Sequence, residues 1–114
     1  MDLLIQSVLD LGEDEFYRAS RYHLPLVVAL INSEDKRAFD ILESSIRKTD
    51  ILQQLTSEVI LVFLTHTNYA EFEKFLKKIK KEFDFTYTAS EFKGSEEGFI
   101  KGLFEENDTK VMVI

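Results

Sequence analysis

Leu24-Pro25-Leu26-Val27-Val28-Ala29-Leu30-Ile31 and Val59-Ile60-Leu61-Val62-Phe63-Leu64 are the two stretches that decide the fold. Neither alternates apolar with polar residues, so each reads as a strand covered on both faces and lying at the centre of a sheet. Pro25 suits the first position of a strand, where its missing N–H costs least. Just before the second run, Ile51 to Leu55 reads as a short strand with Gln53 and Gln54 inside it, as an edge strand would be. Thr56-Ser57 is too short a link for anything but a hairpin.

The segments between and beyond these strands carry helical spacing. Residues 2–22 read as a helix, broken near Gly12, with Leu4, Val8 and Leu11 on one stripe and Phe16 and Ala19 extending it. Asn32 or Ser33 is read as the cap of a second helix whose face is Ala38, Ile41, Leu42, Ser45 and Ile46, closed by Arg47-Lys48. Asn68 with Glu71 three residues on forms a capping box for a third helix. Its Phe72, Phe75, Leu76, Ile79 and Phe83 make the clearest stripe in the chain. Phe85, Tyr87 and Ala89 alternate with Asp84, Thr86, Thr88 and Ser90, which predicts a strand with one wet face. Ser95 opens a fourth helix carrying Phe99, Ile100, Leu103 and Phe104. Asn107-Asp108 reads as a turn, and Val111 to Ile114 as a final short strand. The middle of this order is βαββαβ, the split βαβ or ferredoxin-like unit, in which the first and third strands are central and the second and fourth are edges. The expected class is α+β: a ferredoxin-like or palm core, as in nucleotidyl cyclases, with a mixed or antiparallel sheet and helices mainly on one face. An N-terminal helix, a C-terminal helix and a short last strand are added to it.

The chain has 114 residues, one domain's worth, and residues 1–114 are read as a single domain. Fourteen basic residues against 21 acidic ones give a net charge of −7, the wrong sign for coating nucleic acid. The absence of cysteine excludes disulfide scaffolds, cysteine zinc sites and thiol catalysis. The longest apolar run, Leu24 to Ile31, is too short to cross a bilayer, and Met1-Asp2-Leu3-Leu4 lacks the basic region of a secretory signal. A cytoplasmic protein with no membrane insertion is expected. No Gly-x-Ser-x-Gly elbow, Walker loop or Rossmann glycine pattern is present.

Arg21-Tyr22-His23-Leu24-Pro25-Leu26, leading into the first apolar strand, resembles the Arg-Tyr-Gly-Arg-Pro-Leu segment of GGDEF diguanylate cyclase domains. Arg47-Lys48-Thr49-Asp50 matches that family's RxxD motif. At the family's own spacing, Thr56-Ser57-Glu58-Val59-Ile60 then stands in the place of Gly-Gly-Asp-Glu-Phe. The later helix, strand and helix follow in family order, so the resemblance covers nearly the whole chain from about Phe16.

The resemblance implies a corner where the end of the first strand, Ile31 to Glu34, faces the Thr56-Ser57-Glu58 hairpin. There an active family member holds two divalent metals that bind a nucleoside triphosphate. The departures fall on that corner. Asn32 replaces the strand-end aspartate, and Val59 replaces the essential hairpin glutamate. Glu58 stands for the hairpin aspartate, and Glu34 for the second aspartate. Thr56 and Ser57 put side chains where glycines let substrate approach. The segment before Arg47, which in the family carries guanine contacts, is shortened. With too few oxygen ligands for hard cations, the expectation is a degenerate, non-catalytic regulatory or binding module of bacterial signalling, with no cofactor and no metal. It is expected to act through a protein partner or self-association, or through cyclic di-GMP at Arg47 and Asp50. The alternative is an active nucleotidyl cyclase using Glu34 and Glu58. The family's sensor modules precede the domain, and this length leaves no room for one, so a free-standing module is expected.

The remaining candidates have plainer readings. Arg47 and Asp50 also suit a dipole partner and a turn former. Lys74, Lys77, Lys78, Lys80 and Lys81 read as the solvated face of the third helix more than as an anion patch. His23 and His66 are read as loop histidines at opposite ends of neighbouring strands or at sheet margins. Glu13, Asp14 and Glu15 are read as solvated. The N-terminal helix and the apolar last strand offer a further surface for another chain.

Overall fold

The structure is a computed structural model that describes residues 2–112. Its elements are α1 (Asp2–Tyr22), β1 (Leu26–Asn32), α2 (Ala38–Ser45), β2 (Ile51–Gln54), β3 (Val59–Thr65), α3 (Tyr69–Lys80), β4 (Thr86–Glu91) and α4 (Glu96–Met112). The four strands form one antiparallel sheet in the order β2-β3-β1-β4. The two uniformly apolar runs are the central pair, in register from Leu26 opposite Thr65 to Asn32 opposite Val59. The glutamine-bearing strand and the alternating strand are the edges, as their patterns require.

Because β1 and β3 are apolar on both sides, both sides must be covered. Val28, Leu30, Leu61 and Phe63 pack with Val8, Phe16 and Ala19 of α1 and Ile100, Leu103 and Phe104 of α4. Val27, Ala29, Ile31 and Val62 pack with Ala38 and Leu42 of α2 and Phe72, Leu76 and Ile79 of α3. Helices mainly on one face is therefore an expectation the structure corrects. The helices of the βαββαβ unit take one face, and the two terminal helices take the other.

The face of β4 read as wet is the one α4 covers, and Thr88 on it is fully buried. Asn107-Asp108 is not a turn. α4 runs through it to Met112, because Asn107 faces inward and is hydrogen-bonded there. The strand read at Val111 to Ile114 is corrected to helix as far as Met112, and Val113 and Ile114 lie outside the described residues. No helix of the described residues is long and apolar enough to cross a membrane.

Helix ends follow local chemistry where a partner is available. Asn68 Oδ1 accepts from Glu71 N–H at 2.9 Å, and Glu71 Oε1 accepts from Asn68 N–H at 3.0 Å, so the capping box forms as read. α2 begins later than expected, after Arg37, with no side-chain cap, and it ends at Ser45. Asn32 and Ser33 are spent elsewhere, and Arg47-Lys48 lies in the turn beyond the helix.

Gly12 does not break α1. It is buried, and the seat of the helix is Val8-Gly12-Phe16-Ala19, while Leu11 is 40% exposed. A Cβ at Gly12 would lie 2.4 Å from Phe63 Cε2 and 2.5 Å from Cζ. Phe63 is wholly buried and sits edge-on to Phe16 with ring centroids 5.4 Å apart, so its ring has nowhere to go. Alanine would favour the helix by about 1 kcal/mol, against an overpacking cost of about 1–3 kcal/mol. The expected result for Gly12→Ala is a net loss of about 1 kcal/mol in urea unfolding. A stabilised variant would show that helix and sheet separate freely here.

Candidate functional site: the β1 corner and the RxxD turn

β1 ends where the β2–β3 hairpin begins its return, so Asn32 faces Val59 and the Ser33 N–H donates to Glu58 O at 2.9 Å. The corner and the hairpin thus meet as expected. Ser33 Oγ donates to Asp84 O at 2.8 Å and accepts from the Asp35 N–H at 3.1 Å, tying the corner to the start of β4. Thr56 Oγ1 accepts from the N–H groups of Val59 at 3.1 Å and Glu58 at 3.3 Å, a side-chain turn that any glycine would forgo. An open cleft of about 670 Å³ lies between these segments, lined by Asn32, Ser33, Glu34, Asp35, Glu58, Asp84, Phe85 and Thr86. Of the positions singled out in the sequence, Asn32, Glu34 and Glu58 line it. Val59 instead packs against the core under α1 and α4.

Four carboxylates reach the cleft, and one is already satisfied. Arg37 donates to Asp35 from Nε at 3.1 Å, from Nη2 at 2.8 Å and from its backbone N–H at 2.8 Å. These bonds hold the Asp35 carboxyl below the usual carboxylate range, the side-chain bond being the larger cause.

Asn32 is the informative residue. Its Nδ2 donates to Asn107 Oδ1 at 2.8 Å and to Thr86 Oγ1 at 3.2 Å, and its Oδ1 accepts from Asn107 Nδ2 at 2.9 Å. Asn107 Oδ1 also accepts from Thr88 Oγ1 at 3.0 Å. The two amides form a reciprocal pair that clamps α4 to the end of β1. A carboxamide offers two N–H donors and a carbonyl with two acceptor positions, and Asn32 has both donors and one acceptor position engaged.

The pair of divalent cations that the GGDEF resemblance implies does not fit these residues. Its strand-end ligand would be a neutral amide already engaged with Asn107, and its hairpin ligand would be Val59, which has no ligand atom. Among the described residues no group of three or more His, Asp or Glu side chains could hold a metal ion.

Arg47 and Asp50 meet at the opposite end of the sheet. Asp50, with its side chain 2% exposed, accepts from the Arg47 N–H at 2.9 Å, the Thr65 N–H at 2.9 Å and Thr65 Oγ1 at 3.2 Å. Arg47 Nη2 donates to Thr65 O and, at 2.9 Å, to Thr67 Oγ1, and the Arg47 side chain as a whole stays 57% exposed. The RxxD pair thus ties the α2–β2 turn to the end of β3. Sequence reasoning missed Asn107, Thr65 and Thr67. Their signal was a polar residue on an otherwise apolar face, and nothing in the spacing named the partner. The lysines of α3 are exposed. His23 and His66 sit at the same end of the sheet, because the start of β1 pairs with the end of β3, and this corrects their placement at opposite ends. Both adopt left-handed backbone angles, φ 53° and 52°, at turns.

An antiparallel sheet ordered β2-β3-β1-β4, flanked by helices and open at the corner between β1 and the β2–β3 hairpin, is the palm or ferredoxin-like topology of GGDEF type. Among solved structures the chain is similar to a crystal structure of a DGC protein from Thermotoga maritima. The TM-score is 0.58, with 13% identity over 91% of this chain and 91% of that one. No protein-family model and no curated protein sequence matches.

Proposed function

We propose that this chain is a non-catalytic GGDEF-like regulatory or binding module that acts through a protein partner. The observation that carries the reading is the Asn32–Asn107 pair. The position where the fold's cyclases hold metal is here a neutral clasp between β1 and α4, so the corner is built for rigidity and not for ion exchange. Hard divalent cations need several charged oxygens in one place, and among the described residues Glu34, Glu58 and Asp84 do not make such a set. A cyclic dinucleotide is the second candidate ligand, supported by the exposure of the Arg47 side chain. It would have to compete with Thr65, Thr67 and Asp50 for that group.

The test is incubation with GTP or ATP and magnesium or manganese, followed by chromatography for cyclic products. No turnover is expected. Product formation lost in Glu58→Ala would overturn the reading and establish a cyclase with an altered site. Titration calorimetry with cyclic di-GMP separates the second ligand: heat abolished by Arg47→Ala assigns it, and absence of heat at high protein concentration removes it.

A further inference from the structure

β4 is a sheet margin whose strand neighbour is β1 on one side only. Its sequence, Thr86-Tyr87-Thr88-Ala89-Ser90-Glu91, contains neither proline nor lysine, the residues that commonly protect an edge from pairing. A cleft lies at each end of it. The corner cleft includes Asp84, Phe85 and Thr86, and a second open cleft of about 680 Å³ is lined by Tyr69, Ala89, Ser90, Glu91, Lys93 and Phe99, among others. Between them Phe85, Tyr87 and Ala89 form a half-buried row on the α3 side, with Tyr69 36% exposed beside it. Burial raises the Tyr69 phenol above its usual range, with Tyr87 next to it.

From this placement we infer that β4 receives an extended segment of a partner protein, added antiparallel as a fifth strand, with arginine or lysine at its C-terminal end. The inference rests on the reading of the chain as a non-catalytic binding module. The strand supplies backbone bonds, and the Phe85-Tyr87-Ala89 row receives every second side chain. β4 starts at the corner, so an antiparallel segment ends there, beside Asp84 and at the mouth of the cleft that Glu34 and Glu58 also line. These three are exposed, and none takes part in an ion pair among the described residues. A second copy of this chain fits less well. Two-fold pairing of β4 with itself sets the acidic corner of one copy against the Glu91, Glu96 and Glu97 end of the other, on chains of net charge −7.

The probe is an acetylated, amidated peptide Thr-Val-Thr-Val-Thr-Arg-Arg, with a Glu-Glu-ended version as control, titrated into ¹⁵N-labelled protein by NMR. Saturable shifts and slowed amide exchange confined to residues 84–91 and their neighbours are expected. The arginine peptide should bind at least about tenfold more tightly than the glutamate one, and Glu58→Lys with Asp84→Lys should remove about that factor. Shifts elsewhere, no saturation, or equal affinity for both peptides overturns the inference. So do β4 shifts that grow with protein concentration alone, which would assign the edge to a second copy. The same sample is incubated with GTP and magnesium. Turnover there defeats the non-catalytic reading and leaves the peptide result standing, whereas absent peptide binding without turnover defeats only this inference.

Discussion

Replacing Asn107 by leucine lowers the unfolding free energy by about 1–3 kcal/mol, because it leaves the buried Thr88 hydroxyl without its partner. Leucine is a good helix former of similar size, so the change tests hydrogen bonding and not helix formation. Three bonds are lost: the reciprocal pair with Asn32 at 2.8 and 2.9 Å and the bond from Thr88 Oγ1 at 3.0 Å. Asn32 lines the open cleft and recovers water, so its share of the loss is small. Thr88 is 0% exposed, and its hydroxyl is stranded. Adding Thr88→Val removes the stranded group as well, and replacing both partners by apolar groups of like shape is nearly neutral. The double variant should therefore recover more than half of the loss. Urea unfolding of the two variants and the parent decides it. A single-variant loss under about 0.5 kcal/mol, or no recovery in the double, would show that the clasp contributes nothing to holding α4.

The second large effect is at Asp50. Its carboxylate accepts from the Thr65 N–H, from Thr65 Oγ1 and from Arg47, and it is almost wholly buried. Asp50→Ala leaves the Thr65 N–H without its partner at the end of a central strand, and bonds to a charged acceptor are worth more than neutral ones. A loss of about 2–3 kcal/mol is expected. Arg47→Ala should cost about 1 kcal/mol, since the Arg47 side chain is more than half exposed and solvent screens what it contributes. The order of the two losses in chemical denaturation is the check. Equal losses, or a larger one at Arg47, would show that the ion pair and not the buried acceptor holds the turn. The same experiment bears on ligand binding. An Asp50 committed to Thr65 is a structural residue first, and a nucleotide at this turn meets a site whose acid is already occupied.

The strands were legible because each reports its own surroundings. An apolar run without alternation has to be covered twice, and Leu26 to Ile31 and Val59 to Leu64 are the central pair. The hairpin and the Asn68–Glu71 capping box were legible because their partners lie within a few residues. The helices outside the βαββαβ unit were harder. Gly12 looks like a breaker on a helical pattern, and only the Phe63 ring beneath it makes glycine the residue that lets the helix approach. Asn107-Asp108 looks like a turn for the same reason. A polar pair in an amphipathic pattern is the local signature of a chain reversal, and Asn107 escapes it only because Thr88 and Asn32 wait on the sheet below. The alternating face of β4 reads as wet and is covered all the same, because alternation shows which residues share a side, not what lies above them.

At the corner, the neutral amide of Asn32 and the aliphatic side chain of Val59 stood in the sequence itself, as did the spacing of Arg47 and Asp50. The sequence by itself thus determined the element types within the βαββαβ unit, the central and edge strands and the residue types at the corner, since these depend on side-chain type and short-range spacing. The tertiary structure alone decided that Asn32 is clasped by a residue 75 positions away, that Asp50 serves Thr65, and that the terminal helices cover the second face. Those are partnerships across the chain, fixed by the need to satisfy each buried polar group and cover each apolar face once the sheet has formed, and no periodicity names the partner in advance.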